Sequence, residues 1–188
     1  DFVKRFVPLH TARALAGLRI VSTATLLWQL YLYRPISTFA LPPELIFRET
    51  FLRLMEMIPG YIALSVNQFG LQILFYVTVS VLVLAMVGAF VRYTLPIAFI
   101  LFFLINAYVL QFYSLWHEGL AAWYVLGILC FFQTAAVWSV DALRNNNDLQ
   151  PSYYHGFGVF SVFAGVAYVY ASLGFSKIYH TGLLQSAL

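Results

Sequence analysis

The chain has 188 residues, 62% of them hydrophobic and 9% charged, with a net charge of +3 and a mean hydropathy of +0.84. Soluble domains carry roughly 25% charged residues, so this composition excludes a water-covered globule and makes the bilayer the solvent, where backbone polar groups must be satisfied internally. Long apolar runs in place of alternating strands of ~10 residues exclude a membrane barrel, and basic residues that cluster only at Lys4 and Arg5 give no nucleic-acid signal.

The fold class that follows is an all-α integral membrane protein, one domain over residues 1–188, with about five transmembrane helices and one interfacial amphipathic helix. Residues 1–10 mix charge with bulky apolar side chains and lack a small-residue cleavage site, so they do not read as a secretory signal. The first span is predicted over 11–33, long enough for a hydrocarbon core of ~30 Å. Arg13 lies near its end and can snorkel. Arg19 lies deeper and must face protein or a polar cavity. Arg34 and Pro35 close the helix.

Residues 43–58 differ. Phe47, Phe51, Leu54, Met55 and Ile58 recur at helical spacing among Glu44, Arg48, Glu49, Arg53 and Glu56. The pattern predicts an amphipathic helix lying at the membrane surface or packed on the bundle as a connector, ended by Pro59 and Gly60. The second span is predicted over 71–91, after the polar Asn67 and Gln68, and Arg92 falls in a very short connection. The third span is 94–113, with Pro96 near its start, and the fourth is 119–140. An Asn-rich polar stretch separates it from the fifth, 153–176, whose Gly156, Gly158, Ala164, Gly165, Ala167, Ala171 and Gly174 allow close helix approach in lipid. Lys177 is expected to end that helix. Tyr31, Tyr33, Tyr93, Tyr113, Trp116, Trp138, Tyr153, Tyr154 and Tyr179 fall near span ends, as interfacial aromatic belts do.

Five spans put the chain ends on opposite sides. Lys4, Arg5, Arg13, Arg92 and Arg144 share the N-terminal side, against Arg34, Arg48, Arg53 and Lys177 on the other. This slight excess favours a cytoplasmic N-terminus. The lone Cys130 makes no internal disulfide and no CxxC is present.

No metal site is expected. His117 and Glu118 are adjacent and diverge on a helix, while His155 and His180 are separated by the whole fifth span. No phosphate-binding loop, dinucleotide fingerprint or GxSxG elbow is present. The histidines read first as polar interface residues.

Four stretches carry a resemblance. They are Ala14-Leu15-Ala16-Gly17-Leu18-Arg19-Ile20, Gly88-Ala89-Phe90-Val91-Arg92, Trp138-Ser139-Val140-Asp141-Ala142-Leu143, and Tyr170-Ala171-Ser172-Leu173-Gly174-Phe175-Ser176-Lys177-Ile178 followed by Gly182. In order and spacing they resemble the horizontally transferred transmembrane domain, the membrane part shared with vitamin K-dependent γ-carboxylase. The resemblance implies that Lys177 stands where the family places the base acting on vitamin K hydroquinone, with His117 as the supporting histidine. Burial lowers the pKa of a lysine and suits it to such a role; the competing reading of Lys177 is a snorkelling anchor. Arg19, Arg92, Trp138, Ser139 and Asp141 are the accompanying binding candidates. Asp141 is expected to pair with a basic residue, Arg19 or Arg92, or to cap a helix. The carboxylase continues into a large lumenal part that holds its protein substrate, and residues 1–188 offer no counterpart.

Two functions follow. The first is a non-catalytic accessory subunit packed by its aromatic and small-residue faces among other membrane proteins, in a bioenergetic or photosynthetic complex. No cofactor is required, though quinone or pigment contact is open, with His155 or His117 as a tetrapyrrole ligand. The alternative is a γ-carboxylase-like membrane enzyme acting on a quinone or lipid with Lys177 as base. A transporter would need an internal repeat or paired acidic residues within spans, and neither is present in the sequence.

Overall fold

A computed structural model describes residues 7, 9–33, 35, 57, 60, 67–109, 120–144 and 151–185. Its helices are α1 (Ala12–Tyr33), α2 (Gln68–Val87), α3 (Val91–Val109), α4 (Leu120–Leu129), α5 (Val140–Arg144) and α6 (Tyr153–Gln185). Among the described residues there is no strand, only an isolated bridge between His10 and Ser152. Among the described residues four helices are long and apolar enough to cross a membrane: α1, α2, α3 and the first 20 residues of α6. Apart from Met57, the expected interfacial helix 43–58 lies outside the described residues, as do His117, Glu118 and residues 110–113.

Local chemistry sets the helix starts. Thr11 precedes α1, and its carbonyl accepts from Ala14 N–H at 3.1 Å. The Asn67 side chain accepts from the backbone N–H groups of Phe69 and Gly70, so α2 begins at Gln68, ahead of the expected 71. Gly88 stops α2 in the left-handed conformation, φ 77°, as helix-terminating glycines do. Chain reversal then takes only residues 88–90, with Phe90 at φ 51°. Arg92 therefore sits in the first turn of α3 and not in the connection.

The fourth expected span is corrected. Instead of one helix over 119–140, α4 is 10 residues long, about 15 Å and half a hydrocarbon core. It tightens through Phe131 N–H to Ile128 O and Phe132 N–H to Leu129 O, both 3.1 Å, and then unwinds. Irregular backbone in an apolar setting needs hydrogen-bond partners from the protein, and the partner here is the buried Arg19, described below. The fifth expected span is also extended. Lys177 is a good helix former and no proline follows it, so α6 runs for 33 residues to Gln185.

The helices close on one core of Leu15, Leu26, Leu82, Leu95, Ile105, Leu126, Leu129 and their neighbours. Glycines permit the closest approaches. A Cβ at Gly127 would lie 2.7 Å from the Phe99 ring, and one at Gly158 would lie 2.9 Å from Phe132 and 3.0 Å from Leu15. Between α3 and α4, Trp123 stacks on Phe99 at 4.6 Å and on Phe103 at 5.3 Å. Its indole N–H donates to Phe99 O at 3.0 Å.

Candidate functional site

Among the described residues, a group of polar side chains gathers at one end of the bundle. Here lie the first turns of α1, the α2–α3 turn, the unwound segment after α4, and the start of α6, which is tied to α1 where Ser152 N–H donates to His10 O at 3.1 Å. Ser152 also caps α6: its hydroxyl accepts from His155 N–H at 3.2 Å and bonds His155 Nδ1 at 2.8 Å. This explains why a histidine occurs in the first turn of an otherwise apolar helix, and it uses up the His155 Nδ1 atom.

Arg19 is the centre of the site. It is fully buried, and a guanidinium stays charged in any protein setting. Its Nη1 donates to Thr134 O at 2.7 Å and its Nη2 donates to Trp138 O at 2.6 Å. Both acceptors belong to the unwound segment, where no helix ladder competes for them. Two charge-assisted bonds of this length are the strong kind. Thr23 Oγ1 and Ser22 Oγ donate back to Arg19 O at 2.7 and 3.1 Å, which holds this turn of α1 together. The Arg19 Nε and the Thr134 hydroxyl remain without hydrogen-bond partners among the described residues.

The Trp138-Ser139-Val140-Asp141 motif closes the site from the other side. Trp138 adopts φ 49°, and its ring, 60% exposed, lies beside Gly17 of α1, where an added Cβ would stand 3.9 Å from it. The Ser139 hydroxyl donates to Ala135 O at 2.5 Å and accepts from Ala142 N–H at 2.9 Å, so it caps α5. Asp141 accepts from Phe90 N–H through Oδ1 at 2.9 Å and from Val91 N–H through Oδ2 at 2.8 Å, while its own N–H donates to Gly88 O at 3.1 Å. Of the two expected roles for Asp141, the structure selects the cap. The helix capped is α3, and a carboxylate at a helix N-terminus meets both the free N–H groups and the positive end of the dipole. Arg19 and Asp141 act on each other through space with no direct ion pair among the described residues. Arg92, the residue after Val91 in the first turn of α3, is exposed.

Three of the four sequence stretches thus meet here: Arg19 from the first, the Gly88–Val91 turn from the second, and Trp138–Asp141 from the third. Packing at the junction is tight, since a Cβ on Gly88 would fall 2.3 Å from Ser139 Cβ and 2.9 Å from Arg19 Nη1. The fourth stretch is not brought in. The helical rise puts the backbone of Lys177 about 33 Å beyond His155 along α6, toward the opposite end, and the Lys177 side chain lies outside the described residues. Sequence reasoning missed Thr134, which contributes through its carbonyl and so has no side-chain signature. It also gave Gly88 no site role, although a glycine at the end of an apolar helix run is the signal of a left-handed cap.

Chemically, the assembly binds backbone to backbone. Its charged groups are spent on carbonyls and amide N–H groups of the chain itself. Among the described residues no group of three or more His, Cys, Asp or Glu is placed to hold a metal ion. No protein-family model, curated protein or solved structure matches the chain.

Proposed function

We propose that the chain is a small multi-pass membrane protein that serves as a non-catalytic accessory subunit of a larger membrane assembly. The observation that carries this reading is the use of the polar groups. Arg19 holds two carbonyls of the unwound segment, and Ser139 and Asp141 cap the starts of α5 and α3, so these residues serve the packing of the chain itself. What is left for partners is an apolar and aromatic exterior. Trp28, Tyr31, Phe69, Tyr76, Phe163, Tyr168 and Tyr170 are all more than half exposed, and rings of this kind fill gaps against neighbouring helices and lipid. In this reading the α4 segment, with the turns that follow it, completes a fifth crossing.

The resemblance to the horizontally transferred transmembrane domain rests on the sequence stretches alone, and it brings the alternative of a membrane enzyme acting on a quinone or lipid with Lys177 as base. A base at Lys177 would have to act together with the Trp138–Asp141 turn, and the backbone of Lys177 lies about 20 Å from the level of Arg19 along the bundle.

Gentle extraction from the native membrane followed by native mass spectrometry tests the proposal. The expected result is the chain in fixed stoichiometry with other membrane proteins. A chain that always runs alone overturns it.

A further inference from the structure

The unwinding after α4 costs one hydroxyl its usual partner. Within the helices, threonine hydroxyls donate to a carbonyl one turn back: Thr23 to Arg19 O at 2.7 Å, Thr78 to Leu74 O at 2.7 Å and Thr94 to Phe90 O at 3.3 Å. Thr134 lacks that option. The chain just ahead of it is no longer helical, and the carbonyl three residues back, Phe131 O, accepts from the Tyr154 hydroxyl at 3.1 Å. Thr134 is fully buried, and among the described residues its Oγ1 has no hydrogen-bond partner.

The other buried side-chain polar atom left unpaired among the described residues is Arg19 Nε, and it belongs to the same contact. Arg19 Nη1 donates to Thr134 O at 2.7 Å, so the two unpaired groups are carried by residues that a short bond already holds together. Leaving a guanidinium N–H and a hydroxyl dry is unfavourable. Nε–H can only donate, whereas a hydroxyl donates or accepts. One ligand serves both if it accepts from Nε and pairs with the hydroxyl in either sense.

Size and charge narrow the choice. Arg19 and Thr134 are both 0% exposed, and packing on the guanidinium is close, since a Cβ on Gly88 would lie 2.9 Å from Nη1. An enclosed place of this kind suits a ligand of one heavy atom and not a phosphate or a carboxylate. Asp141 already acts on Arg19 through space, and its negative charge disfavours a second anion beside it. A neutral molecule that both accepts and donates meets every condition, and internal waters bind otherwise unsatisfied buried groups in this way.

We propose that Arg19 and Thr134 form the binding site of one internal water molecule, which accepts from Arg19 Nε–H and bonds the Thr134 hydroxyl. The water adds a third link between α1 and the unwound segment, beside the two direct bonds from the guanidinium. This site does not depend on whether the chain is a subunit of an assembly.

The test is a crystal structure of the full chain, grown in chloride and in bromide, at a resolution that shows ordered waters. The expected result is one water peak about 2.7–3.2 Å from both Arg19 Nε and Thr134 Oγ1, with no anomalous signal from bromide. A direct bond between Nε and Oγ1, a site without density, or a bromide peak overturns the proposal. Thr134→Val gives a second reading, because it keeps the side-chain shape and removes the hydroxyl. Its folding equilibrium constant in mixed detergent should fall about tenfold, as the loss of a buried, water-mediated link implies. A valine variant at least as stable as the unmodified chain would mean that the hydroxyl is unpaired in the folded protein, and that result also overturns the proposal.

Discussion

Asp141 caps a helix that begins fifty residues before it: its carboxylate accepts from Val91 N–H at 2.8 Å and from Phe90 N–H at 2.9 Å. An N-terminal cap is ordinarily supplied by the residue just ahead of the helix. Here the local position is occupied by Phe90, which has no acceptor, and the cap arrives from the segment that follows α4. This fastens the α2–α3 turn to the unwound segment. Replacing Asp141 by Ala should destabilise the protein by about 1–3 kcal/mol through two unpaired N–H groups. Asp141→Asn keeps one acceptor and should cost about half of that. Reversible unfolding in mixed detergent reads both, and equal stability of all three proteins would falsify the capping role.

Arg19 bears on the segment from the other side. Arg19→Leu removes the donors to Thr134 O and Trp138 O, and two carbonyls are then left without partners in an apolar setting. The expected loss is about 2–5 kcal/mol. Arg19→Lys should recover only part of it, because an ammonium lacks the fork that reaches two acceptors at once. Hydrogen exchange adds a local signature: amides over 130–139 should exchange faster in both variants, while those in the middle of α3 stay protected. Uniform acceleration across the chain would make Arg19 an ordinary core residue.

The positions of these two residues show what a sequence can and cannot disclose. An arginine inside an apolar run has to meet a polar group, so the burial of Arg19 was legible. The start of α2 was missed by three residues: the expected span opened at 71 because Asn67 and Gln68 are polar, although Asn67 is a capping side chain and the helix begins right after it. The break after Leu129 was not legible. Residues 130–139 contain neither glycine nor proline, and their apolar content continues that of α4. What unwinds them is a tertiary demand, the need of the Arg19 guanidinium for free carbonyls, and backbone carbonyls look alike at every position.

Two glycines of the chain should respond oppositely to alanine. Gly88 holds φ 77°, and an added Cβ would meet Ser139 Cβ at 2.3 Å, Ser139 Cα at 2.8 Å and Arg19 Nη1 at 2.9 Å. Gly88→Ala therefore strains the backbone and pushes the Trp138–Asp141 turn off the α2–α3 junction, with an expected cost of about 2–4 kcal/mol. Gly174 lies inside α6 with nothing within 4 Å of an added Cβ. Gly174→Ala should be neutral or stabilising by up to about 1 kcal/mol, the helix propensity difference. Melting temperatures of the two variants in one detergent give the comparison, and a destabilised Gly174→Ala would mean that a partner packs on that part of α6.

The arrangement of the ends predicts which positions share a side of the membrane. Leu9 precedes α1 and Leu143 lies in α5. Both are exposed, at 54% and 89%, and both belong to the end where Asp141 meets the Gly88 turn. Gln68, exposed at the start of α2, lies 20 helical residues from that turn, about 30 Å away. In a Cys130→Ser background, Leu9→Cys and Leu143→Cys should react with a membrane-impermeant maleimide from one side of sealed vesicles, and Gln68→Cys should react from the other. Because α4 is half as long as a hydrocarbon core, Leu143 reaches the side shared with Leu9 only if the unwound segment 130–139 completes the crossing. Labelling of Leu143→Cys together with Gln68→Cys would mean instead that α4 and its turns re-enter from the face they left, and the chain would then cross four times.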